Sequence, residues 1–467
     1  MARKIFLYIC SVIALLALLC AVFPRKGINI GFTTLRFPSL HKMLYGSDNS
    51  ANDTIDLASM LDSLSLEDSV ESATEIEDSA NISRMFCSVD SLWSPQDSLS
   101  FSFPNGNTHY FDPLFASMGN AKKDGRYIRI LHYGDSQIEM DRMSSRLRHY
   151  FQRKFGGGGV GMMPFHPIIP TPSISHYCAN ELQRLAPFGD STVARSRGNY
   201  GPMTQCFRID GGASASFNAK KSPFGNIQRV AILYNNRGGK LNASLSCGKM
   251  RPENQSPQQH ATVEMQEWRL DSAVASLRVS LQGSGDAYAV LLDGAPGVAV
   301  DNIPMRGCSG QQFVQIDSSL LAACYQMLDV GLIILQFGGN SVPYLKSDAS
   351  IKGYCQSIGR QIDRIHQCCP DAKILFIGPS DMSTRIEGEL QSYSGLEPLI
   401  EMLRRTANSH GAAFWSIYHA MGGHNSMVRW VADGLAGTDY IHFSPKGANI
   451  MGDRLAQAFE KLRAAAH

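Results

Sequence analysis

The sequence predicts an α/β domain on a parallel sheet covered on both faces, split early by a β-rich insert and preceded by an apolar N-terminal segment. Three observations carry this reading. After residue 300, short and nearly continuous apolar runs alternate with helical patterns, as in a parallel sheet buried between helices. Between residues 160 and 300, strand-like runs follow one another with Gly, Asn, Ser and Pro between them, the pattern of a β-sandwich. Residues 5–23 form an uncharged apolar run of 19, which at about 1.5 Å per residue just crosses a hydrocarbon core of roughly 30 Å.

The elements follow in order. Arg3 and Lys4 precede the apolar run, and no small-x-small exit lies near Cys20 and Ala21, so residues 1–45 are expected to hold an uncleaved signal anchor. Leu19, before Cys20, argues against a lipoprotein. Residues 46–99 hold 12 acidic residues, one basic residue (Arg84) and 13 serines, so 46–104 reads as a solvated tether. The globular part is expected at 105–159 and 301–467, with the insert at 160–300. Within it, 127–134 (YIRILHYG) is a strand and Gln137–Phe155 a helix ended by Gly156–Gly159. No Gly-Lys-Ser/Thr follows to make those glycines a phosphate loop. Strands are expected in the insert at 230–236, 241–248, 276–283 and 287–294. Beyond it come a helix at 311–328, a strand at 331–338, a helix at 350–369 and a strand at 372–379. A helix near 395–409, a strand at 412–418 and a last helix from Pro445, with Ser444 as its N-cap, complete the chain.

Composition narrows the function classes. With 467 residues and 44% hydrophobic side chains, wholesale disorder is excluded. The 43 Lys+Arg against 41 Asp+Glu exclude a strongly basic nucleic-acid binder, and no nucleic-acid partner is expected. The total conceals a partition: 6 basic and no acidic residues in 1–45, and 36 basic against 29 acidic from residue 100 onward. That surplus favours anionic surfaces such as cell-wall polymers. Eleven cysteines without a CxxC pair are too sparse for a disulfide scaffold or a zinc site. No cofactor or metal is expected.

Four short blocks lie at element ends: Gly134-Asp135-Ser136, Ser309-Gly310, Gly338-Gly339-Asn340 and Asp439-Tyr440-Ile441-His442. Together they supply the parts of nucleophilic acyl transfer. The Ser136 hydroxyl needs a base, which His442 provides and later returns as an acid. Asp439 orients the imidazole and stabilises its cation. The tetrahedral oxyanion needs donors, and the Ser136 N–H, the Gly310 N–H and the Asn340 amide are candidates. Gly307 is the alternative for the second block. Asp381 is expected to cap or turn a loop, His132 to be buried in its strand, and Asn235-Asn236 to make a turn.

The order of these blocks resembles the SGNH/GDSL hydrolase superfamily over residues 125–155 and 300–465. The resemblance implies a flavodoxin-like α/β/α sandwich in which Ser136, Gly310, Asn340 and His442 match the four block residues and Asp439 completes the triad. The run ILHYGDSQIEMD is similar to the first block of the peptidoglycan O-acetylesterase branch, whose members carry a β-sandwich insert like a carbohydrate-binding module between the first two blocks. Gln137 departs from that branch, where His commonly follows the Ser. The resemblance implies a serine esterase acting on O-acyl, chiefly O-acetyl, groups of a polysaccharide such as peptidoglycan. Its partners would be the O-acylated polysaccharide and, through the N-terminal helix, a membrane, with the body outside the cytoplasm. An O-acetyltransferase and a non-catalytic glycan-binding envelope protein are the alternatives.

Overall fold

The computed structural model describes residues 28–29, 34–35, 100–189, 192–236, 240–260 and 263–465. The chain divides into two units, residues 1–69 and 70–467. In the first, Ile28–Asn29 and Thr34–Leu35 pair antiparallel. The expected membrane segment (5–23) and the acidic stretch 46–99 lie outside the described residues. Among the described residues no helix is long and apolar enough to cross a membrane.

The second unit is built on five parallel strands: β1 (Tyr127–Gly134), β2 (Gly297–Pro304), β3 (Val330–Gln336), β4 (Lys373–Ile377) and β5 (Ala413–Trp415). They lie in the order β2-β1-β3-β4-β5, the flavodoxin-like order. Alternate side chains point to opposite faces, and the core divides accordingly. Ile128, Ile130, Leu332, Ile334, Leu375 and Trp415 pack against helices α1 (Asp112–Ala121), α2 (Ser144–Phe155) and α6 (Pro445–Ala465). Leu131, Tyr133, Ile333, Leu335, Ile374 and Phe376 pack against α3 (Ser318–Met327), α4 (Asp348–Cys368) and α5 (Leu396–Ser409). The free edge of β5 is met by Ser102, whose N–H and C=O both bond to Phe414. At α6, Ser444 Oγ accepts from the Gly447 N–H at 3.3 Å, the cap read from the sequence.

Between β1 and β2 the chain forms ten linked antiparallel strands, from Gly159–Met163 to Ser276–Asp293. The 18-residue strand Ser276–Asp293 is the spine. Its first half pairs with Cys206–Asn218 and Leu241–Ser246, its second with Ile227–Asn235 and Gly159–Met163. Residues of both halves, including Phe217, Val279, Ile232 and Leu292, share one core. The opposite face of the second half, with Ala231, Leu233, Met265 and Leu291, enters the α3–α5 core of the parallel sheet. Each such Leu contributes about 1.5–3 kcal/mol when fully buried, so the insert is fixed to the domain by common packing.

Two expectations are corrected here. The insert was placed as far as residue 300, but 297–304 is the edge strand β2, paired to β1 residue by residue. The sequence hides this strand because it follows the insert's longest strand after a break of three residues, with no change in apolar pattern. The single helix expected at 137–155 is two: a 3₁₀ turn at Ser136–Asp141 and then α2. Met140 and Asp141, both with φ of 59°, break it, an αL conformation that costs non-glycine residues roughly 1–2 kcal/mol each.

Candidate active site

Strand order places the site. From β1 the chain moves to β2 on one side and later to β3 on the other, so a crevice opens at the carboxyl ends of β1 and β3, where open α/β sheets bind ligands. The first block leaves β1 there and the third leaves β3. Gly134 is tightly packed: a Cβ there would lie 3.0 Å from Ile138 and 3.1 Å from the Gln336 carbonyl. Asp135 then caps the 3₁₀ turn, Oδ1 accepting the Gln137 N–H at 2.9 Å, which turns Ser136 into the crevice. After β3, Gly338 adopts φ of 124° and starts the turn that carries Asn340. The fourth block lies in the loop before α6. Asp439 Oδ1 accepts the N–H groups of Ile441 (3.0 Å) and His442 (3.1 Å), folding the loop back on itself.

The outcome is a continuous relay. Ser136 Oγ lies 2.8 Å from His442 Nε2, and His442 Nδ1 lies 2.7 Å from Asp439 Oδ2. Burial works against the charge on Asp439, but the His442 ring and the His442 and Ile441 N–H groups hold its carboxyl below the usual range. The imidazole therefore faces a carboxylate on one nitrogen and the serine hydroxyl on the other. That chain can deprotonate the hydroxyl and stabilise the resulting imidazolium. The His442 and Asp439 side chains are 37% and 49% exposed, so a bulky ester can reach them.

A cavity of about 640 Å³ encloses Ser136, Asn340, Asp439 and His442. Asn340 Nδ2 donates to the Cys308 carbonyl at 3.1 Å and to Asp135 Oδ2 at 3.4 Å, which ties the third block to the first and to the residue before the second. Of the two glycines in the second block, Gly307 lines the cavity. Gly310, with φ of +87°, packs so closely on Phe337, another lining residue, that a Cβ there would lie 2.8 Å from its ring. Burial raises the Asp135 carboxyl to about 6, against the opposing Gln137 N–H and His442. Burial likewise pushes the Cys308 thiol up to about 12, so it does not compete with Ser136 as a nucleophile.

The remaining candidates lie elsewhere. His132 is fully buried, with Gln336 Oε1 at 3.1 Å and Ser144 Oγ at 2.9 Å. Asp381 accepts from Ser392 Oγ at 2.6 Å and from the Met427 N–H at 2.8 Å, binding the start of a short helix. Asn236 Oδ1 accepts the Leu241 N–H at 2.9 Å and closes a turn. The sequence gives no sign that Arg142, Arg306 and Glu139 line the cavity. Arg306 donates to Glu139 through two bonds of 2.7 Å, which places a neutralised pair at the rim. No local motif marks these residues, because the strained turn at 139–141 and the return of the chain after β2 bring them together.

Fold and site together define a class: α/β hydrolases in which a serine at the switch point is bonded to a histidine backed by an aspartate. Residues 271–450 match the GDSL-like lipase/acylhydrolase family, which identifies an SGNH/GDSL-type acylhydrolase domain over that stretch. The matched stretch takes in Gly310, Asn340, Asp439 and His442. Ser136 lies upstream of it, across the insert. A solved structure of a peptidoglycan O-acetylesterase in action, at 5 min, is similar over 77% of this chain and 99% of that one, at 21% identity and a TM-score of 0.62. An active-site mutant of a family two carbohydrate esterase from Clostridium thermocellum aligns over 60% of this chain and 98% of that one, at 11% identity and a TM-score of 0.27. A family two carbohydrate esterase from Cellvibrio japonicus covers 63% and 99%, at 12% identity and a TM-score of 0.25. No curated protein matches the sequence.

Proposed function

We propose that the protein removes O-acetyl groups from a polysaccharide, peptidoglycan being the first choice, by a serine-esterase mechanism. The observation that carries this reading is the Ser136–His442–Asp439 relay opening into the cavity. In the first half-reaction Ser136 Oγ attacks the acetyl carbonyl while His442 Nε2 takes its proton. The tetrahedral oxyanion is held by the Ser136 N–H, the Asn340 amide and the Gly310 N–H, with Gly307 as the alternative third donor. His442 then protonates the departing sugar oxygen, leaving acetyl on Ser136. In the second half-reaction His442 takes a proton from water, the hydroxide attacks the acyl-serine, and acetate leaves as the proton returns to Ser136.

The choice of a glycan substrate is supported by the fold shared with the peptidoglycan O-acetylesterase, a likeness that runs over 77% of this chain and so beyond the α/β parts alone. We read the insert as a β-sandwich that meets the polymer, and residues 5–23 as an anchor holding the body outside the cytoplasm. The test is acetate release from O-acetylated peptidoglycan and from p-nitrophenyl acetate. Wild type releases acetate from both, and Ser136→Ala loses at least a thousandfold in kcat/KM. A Ser136→Ala variant with wild-type turnover refutes the mechanism. Membrane fractionation of cells making the full chain or residues 46–467 tests the anchor, which predicts that only the full chain sediments with membranes.

A further inference from the structure

The residue after the nucleophile carries more than a structural bond. Gln137 is 8% exposed, and its amide addresses the peptide groups on both sides of His442. Its Nε2 donates to the Ile441 carbonyl at 2.6 Å, and its Oε1 accepts the Phe443 N–H at 3.2 Å. The second Nε2 hydrogen goes to Ser380 Oγ at 3.1 Å. The amide thus uses both donors, and its carbonyl oxygen pairs with a buried N–H. Its own backbone N–H is fixed by Asp135, so the turn that presents the nucleophile also grips the loop that presents the base.

That grip matters because packing buries Phe443, at 2% exposed, but leaves the His442 side of the loop open. His442 and Asp439 are more than a third exposed, and Tyr440 sits in the left-handed region at φ 57°. Besides Gln137, the backbone of 441–443 is held by Asp439, by the Gly437 N–H on the His442 carbonyl at 2.8 Å, and by a long 3.4 Å bond from Arg142 to the Phe443 carbonyl. Among the described residues, Gln137 is the chain neighbour of Ser136 that bonds to the backbone on both sides of His442. Displacements near 1 Å in reacting groups cost on the order of 100-fold in rate.

We propose that Gln137 is a positioning residue, clamping residues 441–443 to the Ser136 turn and so setting the Oγ–Nε2 distance. It lines the cavity, but in this role it acts through His442. The proposal rests on the esterase reading above. Glutamate at 137 keeps the volume and the acceptor for Phe443 but turns the donor facing the Ile441 carbonyl into a second acceptor.

The experiment measures kcat and KM on p-nitrophenyl acetate for the full chain, as wild type, Ser136→Ala, Gln137→Ala and Gln137→Glu, with melting curves for each. The expected result is a ten- to hundredfold fall in kcat for both Gln137 variants, with KM within threefold of wild type. A residue needed only for folding would lower the melting temperature and leave the kcat of the folded fraction unchanged. A folded Gln137→Glu retaining more than half the wild-type kcat overturns the proposal. So does a rise in KM at unchanged kcat, which would assign Gln137 to substrate binding. If Gln137→Ala does not fold, Gln137→Glu decides alone. If wild type is no faster than Ser136→Ala, the esterase reading fails and the clamp with it, whereas a Ser136-dependent rate insensitive to Gln137 sinks only the clamp.

Discussion

Arg129 offers the sharpest test of how the insert is attached. Its guanidinium is fully buried in β1. Nη1 donates to Asp301 of β2 at 2.8 and 3.0 Å, and Nη2 to Asp293, the last residue of the insert's spine, at 2.6 Å. Arg229 of the insert also donates to Asp293, at 2.9 Å, and to Glu267. Replacing Arg129 by Met therefore leaves Asp293 a cation but strips Asp301, whose remaining bond is the Met162 N–H at 2.7 Å. An uncompensated buried charge of this kind costs about 3–5 kcal/mol. Urea unfolding of Arg129→Met at pH 7 should show a loss in that range. Adding Asp301→Asn removes the stranded charge, and the double variant should recover at least half the loss, since deleting both partners of a buried pair is far milder than deleting one. A single variant losing under about 1 kcal/mol, or a double variant no better than the single, would show that the network does not hold the two parts together as the distances imply.

Three further outcomes follow from the site. In the proposed mechanism Asn340→Ala removes one oxyanion donor, so kcat should fall by about 100- to 1,000-fold with the fold intact by circular dichroism. Asp439→Asn keeps the shape but favours the wrong imidazole tautomer, so kcat on p-nitrophenyl acetate should fall by roughly 10⁴-fold; a loss below tenfold would remove Asp439 from the relay. The Asp135 carboxyl is raised by burial to about 6, so the folded state favours its protonated form. Its stabilisation is complete below the unfolded value near 4 and is lost as pH rises through 6, by about 3 kcal/mol in all. Unfolding free energies from pH 4 to 7 should therefore fall for wild type relative to Asp135→Asn, and parallel curves would contradict the assignment.

Much of the molecule was legible in the linear order of residues. Apolar runs of five to eight residues, alternating with 3.6-periodic segments, mark β1, β3, β4, α4, α5 and α6 because burial on both faces demands that pattern. The candidates Ser136, Asn340, Asp439 and His442 stand out in the sequence because each sits where an element ends, beside a glycine or a capping side chain. The edge strand β2 was not, since a strand leaving a β-rich insert carries no local mark of which sheet it will join. The surroundings of Gly310 and its alternative Gly307 were not legible either: both take positive φ, and only the folded chain sets Gly307 on the cavity lining and Gly310 against the Phe337 ring.

What the sequence by itself determined was the inventory: a hydroxyl, an imidazole, a carboxylate and an amide in a fixed order on an α/β chain. Tertiary structure decided their distances. Ser136 and His442 are 306 residues apart, and they meet because the sheet order sets β1 beside β3 and the loop before α6 folds over both. It also decided what surrounds them. The Gln137 clamp, the Arg306–Glu139 rim and the Arg129 network join residues remote in sequence, and a hydrogen bond or buried ion pair between remote residues leaves no periodic trace. It exists only once packing has excluded water from both partners.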